Sequence, residues 1–242
     1  MTQHRPQQLS IDLPKPRVGW GGRRRGAGRK RGPKSGVMHR ARQWFDRPRV
    51  AHVTLRVVED VPNLRSCHEV FGVVWQALLA SAWGPCCEVE RNRNGFRLVH
   101  FTVQGNHLHL VVEAAHSKRL SRGMHALKVR VAKRINGLLK RKGAVFTERY
   151  HVRFLKTPTE VRNVLCYVLN NTRRHWRGRP PRATWVDPQS SARWFNGWRT
   201  EVVPHDDNPL PAARTFLLRK GWRRGRGGLI DTHEVPGDVR RE

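Results

Sequence analysis

Three side chains of this 242-residue sequence suit phosphate chemistry by type and spacing: His107 and His109, separated only by Leu108, and Tyr167. Side chains two apart on a strand project to one face, so two such imidazoles point together and can share a divalent ion. Taken alone, the pair also fits two exposed polar residues on an amphipathic strand. Tyr167 lies in a stretch of helical periodicity, about a third of a turn off the apolar stripe of Val161, Val164, Leu165 and Val168. Asn163 and Asn171 flank it four residues before and after, on the same side. The only other tyrosine, Tyr150, sits in a strand pattern between Arg149 and His151, where packing or a hydrogen bond to phosphate is expected. A phenol, with a pKa near about ten, is a poor nucleophile at neutral pH. It can attack a phosphodiester when a metal polarises the non-bridging oxygens and aligns the phosphate for in-line displacement. The ester formed keeps the energy of the broken bond, so a free 3′-hydroxyl can reverse the step. Hydrolytic two-metal nucleases need clustered carboxylates instead. Glu113 and Glu148 are the only ones nearby, which argues against that class.

The elements that must position these groups follow from periodicity. Ala51 to Val57 alternates, with Val53, Leu55 and Val57 on one face and His52, Thr54 and Arg56 on the other, which predicts a half-buried strand. A helix is expected from Pro62-Asn63-Leu64 to about Ala82, on Val70, Phe71, Val74, Trp75, Leu78 and Leu79, ended by Gly84-Pro85. A second strand, Phe96 to Val103, turns at Gln104-Gly105-Asn106 into a third, His107 to Glu113. Leu120, Met124, Leu127, Val131, Ile135 and Leu138 give residues 118–142 one apolar stripe, hence a long amphipathic helix. Val145 to Leu155 reads as a fourth strand. Thr157-Pro158-Thr159-Glu160 then opens the tyrosine helix, which is expected to reach about Arg174. The fold class is therefore α+β: a ferredoxin-like (split βαβ) antiparallel sheet with helices on one face, the tyrosine helix after the fourth strand, and an open face suited to single-stranded nucleic acid.

Charge indicates the partner. The sequence carries 48 Lys+Arg against 18 Asp+Glu, a net charge of +30, which calls for a polyanion. Residues 1–50 hold 14 Lys/Arg and two Asp and lack apolar periodicity, so they are expected to form a disordered basic arm that binds phosphates through Arg23, Arg24, Arg25, Arg29, Lys30 and Arg31. Residues 118–142 contain ten Lys/Arg and no acid. A solvated face normally mixes signs, so Lys128, Lys133 and Arg134 are expected to meet DNA, as are Arg173 and Arg174 after the tyrosine. Residues 51–175 are read as the catalytic domain and 176–242 as a basic Trp-, Arg- and Pro-rich extension with no dependable fold of its own, beyond one short helix near 211–222. No apolar run is long enough to span a bilayer and no signal-peptide core is present, so the expected location is cytoplasmic, at the nucleoid, with no membrane partner. Cys67, Cys86, Cys87 and Cys166 lack zinc or disulfide spacing and are given no function.

His52-Val-Thr-Leu-Arg-Val57, Gly105-Asn-His-Leu-His-Leu-Val-Val-Glu113 and Tyr167-Val-Leu-Asn-Asn171, in that order, resemble the single-tyrosine HUH transposase superfamily of insertion-sequence and REP-associated tyrosine transposases. The resemblance spans about residues 51–175. It implies a Mg2+ or Mn2+ ion held by His107, His109 and the amide of Asn171, and a 5′-phosphotyrosine link on Tyr167 that leaves a 3′-hydroxyl. It further implies a DNA endonuclease and strand transferase acting in DNA transposition or recombination on hairpin-bearing single-stranded DNA, as a monomer or a homodimer. REP-associated relatives usually place Pro after the Asn, where this sequence has Thr172. Two other readings stand beside this one. One is a non-catalytic, decayed or domesticated DNA- or RNA-binding protein on the same fold. The other is an RNA binder of the RRM type, which the lack of aromatics on His107 to Glu113 disfavours.

Overall fold

The computed structural model describes residues 43–83, 95–176, 178, 181–202, 205 and 207–234. Four strands, β1 (Arg49–Arg56), β2 (Phe96–Val103), β3 (His107–Ala114) and β4 (His151–Leu155), form one antiparallel sheet in the order β2-β3-β1-β4. That order, with the two central strands supplied by β1 and β3, is the split βαβ arrangement expected from the sequence. Helices α1 (His68–Ser81) and α2 (Ser117–Leu138) connect the strands. They pack on one face, against Val53 and Leu55 of β1, Leu98 and Phe101 of β2, and Leu108, Leu110 and Val112 of β3. Alternation along β3 decides this: its even-numbered residues are fully buried beneath α1 and α2, which sends His107, His109, Val111 and Glu113 to the other side. Gly123 of α2 lets the helix approach β2 closely, since a Cβ there would lie 2.2 Å from the Phe96 ring.

The tyrosine helix, α3 (Pro158–Leu169), crosses the opposite face. A capping box starts it: Thr157 Oγ1 accepts from the Glu160 amide while the Glu160 carboxylate accepts from the Thr157 amide. Val161, Leu165 and Val168 join Val50, Val111 and Leu155 of the sheet in a second core. The helix is shorter than its periodicity suggests. It breaks at Asn170, whose ψ is 11°, and restarts as the one-turn α4 (Asn171–Arg174).

Residues beyond 176 complete this second core rather than trailing from it. Ala192, Phe195, Trp198, Leu218 of α5 (Phe216–Arg219), Trp222 and Ile230 are buried against α3, so the face expected to be open is partly covered. Val103 donates to the Gln189 carbonyl at 3.0 Å and Thr102 bridges to Ser190, which covers the free edge of β2. Order also begins ahead of Ala51. Phe45 is buried in the first core, its amide donates to Ser117 Oγ and its carbonyl accepts from the Ser117 amide, so the expected arm is too long by several residues. The rest of it, residues 1–42, lies outside the described residues. The fourth strand is five residues long because Val145 and Phe146 leave the ladder, with Phe146 making only a bridge to Val57. Tyr150 packs in the first core, as expected. Among the described residues, Cys67 and Cys166 are free thiols, and burial pushes Cys166 up to about 12. No described helix is long and apolar enough to cross a membrane.

Candidate active site

Strand register brings the polar side chains of three strands together at one end of the face that carries α3. In the β1–β3 ladder Thr54 lies opposite His109 and Arg56 opposite His107. In the β1–β4 ladder His151 lies on the other side of Thr54. The apolar end of the same face (Val50, Val111, Leu155) anchors α3, and Tyr167 projects from that helix onto the histidines.

Tyr167 Oη is 3.2 Å from His109 Nε2, and the two rings meet edge to face with centroids 4.9 Å apart. The His107 and His109 rings are 4.7 Å apart and nearly perpendicular. On its far side, His109 Nδ1 is 3.2 Å from both Thr54 Oγ1 and His52 Nε2. When the Tyr167 hydroxyl donates, His109 Nε2 carries the lone pair and Nδ1 the proton, which Thr54 or His52 accepts. That tautomer also leaves Nε2 as the metal-binding nitrogen. His107 Nδ1 is paired with Asn106 Oδ1 at 2.8 Å, which turns its Nε2 away from the turn.

The imidazoles are neutral. Burial, then His52, His107 and His175, lower His109 to about 3. Burial, then His151 and Arg153, lower His52 to about 4. Burial, then His175 and Arg56, lower His107. A neutral imidazole is the form that binds a cation or accepts from a hydroxyl.

Asn171 opens α4 just after α3 ends and is 1% exposed. Neither its amide oxygen nor its amide nitrogen has a hydrogen-bond partner, so it makes no bond to either histidine. Leaving such a group buried costs about 1–3 kcal/mol. That orphaned amide is the observation that fits a divalent cation: two neutral imidazoles and one amide oxygen make a donor set for such an ion. Among the described residues no three His, Cys, Asp or Glu side chains converge as metal ligands. Glu113 is not available to one. Its buried carboxylate accepts from the amides of Arg214 and Thr215 and from the Thr215 hydroxyl, capping α5. Glu148 is exposed.

Of the residues singled out from sequence, His107, His109 and Tyr167 thus come together, with Asn171 directly after their helix. Asn163, expected beside Tyr167, is exposed. Lys128, Lys133 and Arg134 sit on α2, on the sheet face away from Tyr167. Lys128 donates to the Glu148 carbonyl and lies over Phe146, Arg134 bonds Gln76, and Lys133 is exposed. Arg173 is committed to Trp185, and Arg174 is exposed at the end of α4. Arg23, Arg24, Arg25, Arg29, Lys30 and Arg31 lie outside the described residues. His52, Thr54 and His175 were not singled out as site residues. The signal for the first two was their place on the polar face of β1. For His175 it was the four-residue step from Tyr167 through Asn171.

Residues 79–171 match the family model of the IS200-like transposases, a stretch that contains His107, His109, Tyr167 and Asn171. Among solved structures, the chain is similar to a REP-associated tyrosine transposase bound to a REP hairpin, at 13% identity and a TM-score of 0.44, over 64% of this chain and 82% of that one. It is also similar to a protein described as a candidate transposase from Deinococcus radiodurans R1, at 14% identity and a TM-score of 0.32, over 49% of this chain and 87% of that one. No curated protein matches it. The match to the IS200-like transposase model runs through both histidines, the tyrosine and the asparagine.

Proposed function

We propose that this chain cleaves and rejoins single-stranded, hairpin-containing DNA through a 5′-phosphotyrosine intermediate on Tyr167. The observation that carries the reading is the 3.2 Å approach of the Tyr167 hydroxyl to His109 Nε2, on a patch where His107 and His109 are both neutral. His107, His109 and Asn171 would hold Mg2+ or Mn2+. When bound, such a cation supplies Lewis-acid polarisation of the phosphate oxygens.

The chain's own residues do the rest. α3 fixes Tyr167 over the sheet, and until a cation takes the His109 Nε2 lone pair the Tyr167 hydroxyl donates to it, which holds the phenol oxygen beside the site. A ring lowered to about 3 is a weak base, so this contact orients the phenol rather than deprotonating it. In the cleavage step the Tyr167 oxygen bonds to phosphorus, the bond from phosphorus to the 3′-oxygen breaks, and the phenolic proton ends on the departing 3′-hydroxyl through solvent. Attack by a 3′-hydroxyl on the phosphotyrosine reverses every bond change and returns the proton to Tyr167. The chain would act as a monomer or a homodimer.

The test is to incubate the protein with end-labelled hairpin DNA carrying single-stranded flanks, plus Mn2+, and to resolve covalent protein–DNA adducts on a denaturing gel. An adduct with the wild type that Tyr167→Phe cannot form is expected. An adduct that survives Tyr167→Phe removes Tyr167 as the nucleophile, and the absence of any adduct removes the strand-transfer reading.

A further inference from the structure

Immediately after α4, the chain carries an aromatic pair that neither core nor the catalytic patch uses. Trp176 is 42% exposed and stands against Trp185 with ring centroids 5.3 Å apart. The Arg173 guanidinium lies over Trp185, 5.4 Å from its centroid, and donates to the carbonyls of Arg182 and Trp185 at 3.1 and 2.9 Å. Trp185 is thereby fixed from beneath by an arginine already committed to the backbone, and Trp176 is the member of the pair that meets solvent.

The chain around this pair is rich in cations, while the nearby Asp187 is taken up by Arg65 and Thr172, and Asp231 lies close to Arg173. Residues 171–186 contain five arginines and no acid, and Arg174, His175 and Arg182 are exposed. The pair also follows closely on the chemistry along the chain: Trp176 comes just after the one-turn α4, which continues from the helix that carries Tyr167.

We propose that Trp176, propped by Trp185 and Arg173, is a stacking subsite for one unpaired base of single-stranded DNA adjacent to the nucleotide that Tyr167 attacks. An exposed indole among cations matches the two surfaces of a single strand: the ring takes the apolar face of a base, and Arg174 and Arg182 take the phosphates on either side. Stacking of this kind tolerates any base, because every base presents a π-face. Pre-fixing Trp185 through Arg173 lowers the ordering cost of forming the stack. The proposal rests on single-stranded DNA being the substrate.

The experiment measures binding of the full chain to a fluorescently labelled oligothymidine strand and to a blunt hairpin lacking single-stranded tails, by anisotropy at fixed salt. Base–aromatic stacking is worth about 1–3 kcal/mol per base, so Trp176→Ala should weaken oligothymidine binding by roughly 5- to 160-fold. Blunt-hairpin binding should change little, and Trp176→Phe should keep most of the affinity. Trp185→Ala should weaken the strand less than Trp176→Ala does. Thermal unfolding of each variant shows whether the fold is kept, and Trp176→Leu, which keeps apolar bulk without a π-face and should weaken strand binding as the alanine variant does, serves as the test if the alanine variant does not fold. The stacking subsite is overturned if wild type binds the strand and folded Trp176→Ala binds it equally well, an outcome that leaves cleavage by Tyr167 untouched. A wild type that binds no single strand overturns both.

Discussion

The hydroxyl of Thr172 donates to the carboxylate of Asp187, and the same carboxylate receives both terminal nitrogens of the Arg65 guanidinium, at 2.8 and 2.9 Å. The residue that follows Asn171 is thus tied across the molecule to the segment before α1. A side-chain bond to residues of its own C-terminal extension holds the chain just after Asn171.

Asp187→Ala should therefore cost more than a surface change. Its side chain is 1% exposed and that of Arg65 only 21%, so removal leaves a half-buried guanidinium without its anion. A destabilisation of about 3 kcal/mol is expected, measured by urea unfolding. A loss below about 0.5 kcal/mol, the scale of ordinary surface substitutions, would show that the network does not hold the fold.

His52 and Thr54 orient His109 without needing to touch substrate. Partners at that remove typically contribute about 10- to 100-fold to metal affinity or activity. His52→Ala and Thr54→Val should each reduce Mn2+ affinity, read by electron paramagnetic resonance, together with the rate of adduct formation. Unchanged values in both variants would leave the 3.2 Å contacts to His109 Nδ1 as packing alone.

Tyr167 and a cation compete for one lone pair, that of His109 Nε2. Tyr167→Phe should bind Mn2+ at least as tightly as wild type, whereas His107→Ala and His109→Ala should lose it. Weaker binding in the phenylalanine variant would mean that the tyrosine is itself a ligand.

Stability should fall on acidification. His52 and His100 are lowered to about 4 and His109 to about 3, burial being the first cause in each, against an ordinary value of 6.5. Between those values the unfolded chain binds protons that the folded chain refuses, so stability drops as pH falls from 6.5 towards 4 and levels off below the folded values. Each such group contributes up to about 1.4 kcal/mol per pH unit. The urea midpoint should decline steadily over that window and hold above it; a flat profile would mean that the rings are protonated at little cost.

How far the sequence disclosed this arrangement depends on the range of the contacts. His107 and His109 sharing a face, and Tyr167 sitting off the stripe of its helix, follow from local periods of two and 3.6. The meeting of Thr54 with His109 depends on register between strands more than fifty residues apart, which no local pattern encodes. The side of the sheet that α3 takes was likewise set by the distant apolar residues Val50, Val111 and Leu155. Charge alone did not show that the α2 cations lie across the sheet from Tyr167, because composition carries no direction. Phe195, Trp198 and Trp222 enter the second core from turns and 3-10 segments, so their burial left no period to detect.

Arg162, inside α3, is 5% exposed and finds its carboxylate in Glu234 and its carbonyls in Gly228 and Leu229, while Asn170 bonds the carbonyls of Asp231 and Glu234. These partners are among the last described residues to leave the ribosome. During synthesis the helix bearing Tyr167 has a charged, unsatisfied underside until that segment emerges. The order of translation thus makes assembly of the Tyr167 site wait for a segment far downstream of its helix, and a product shortened before residue 227 should be released without a docked tyrosine.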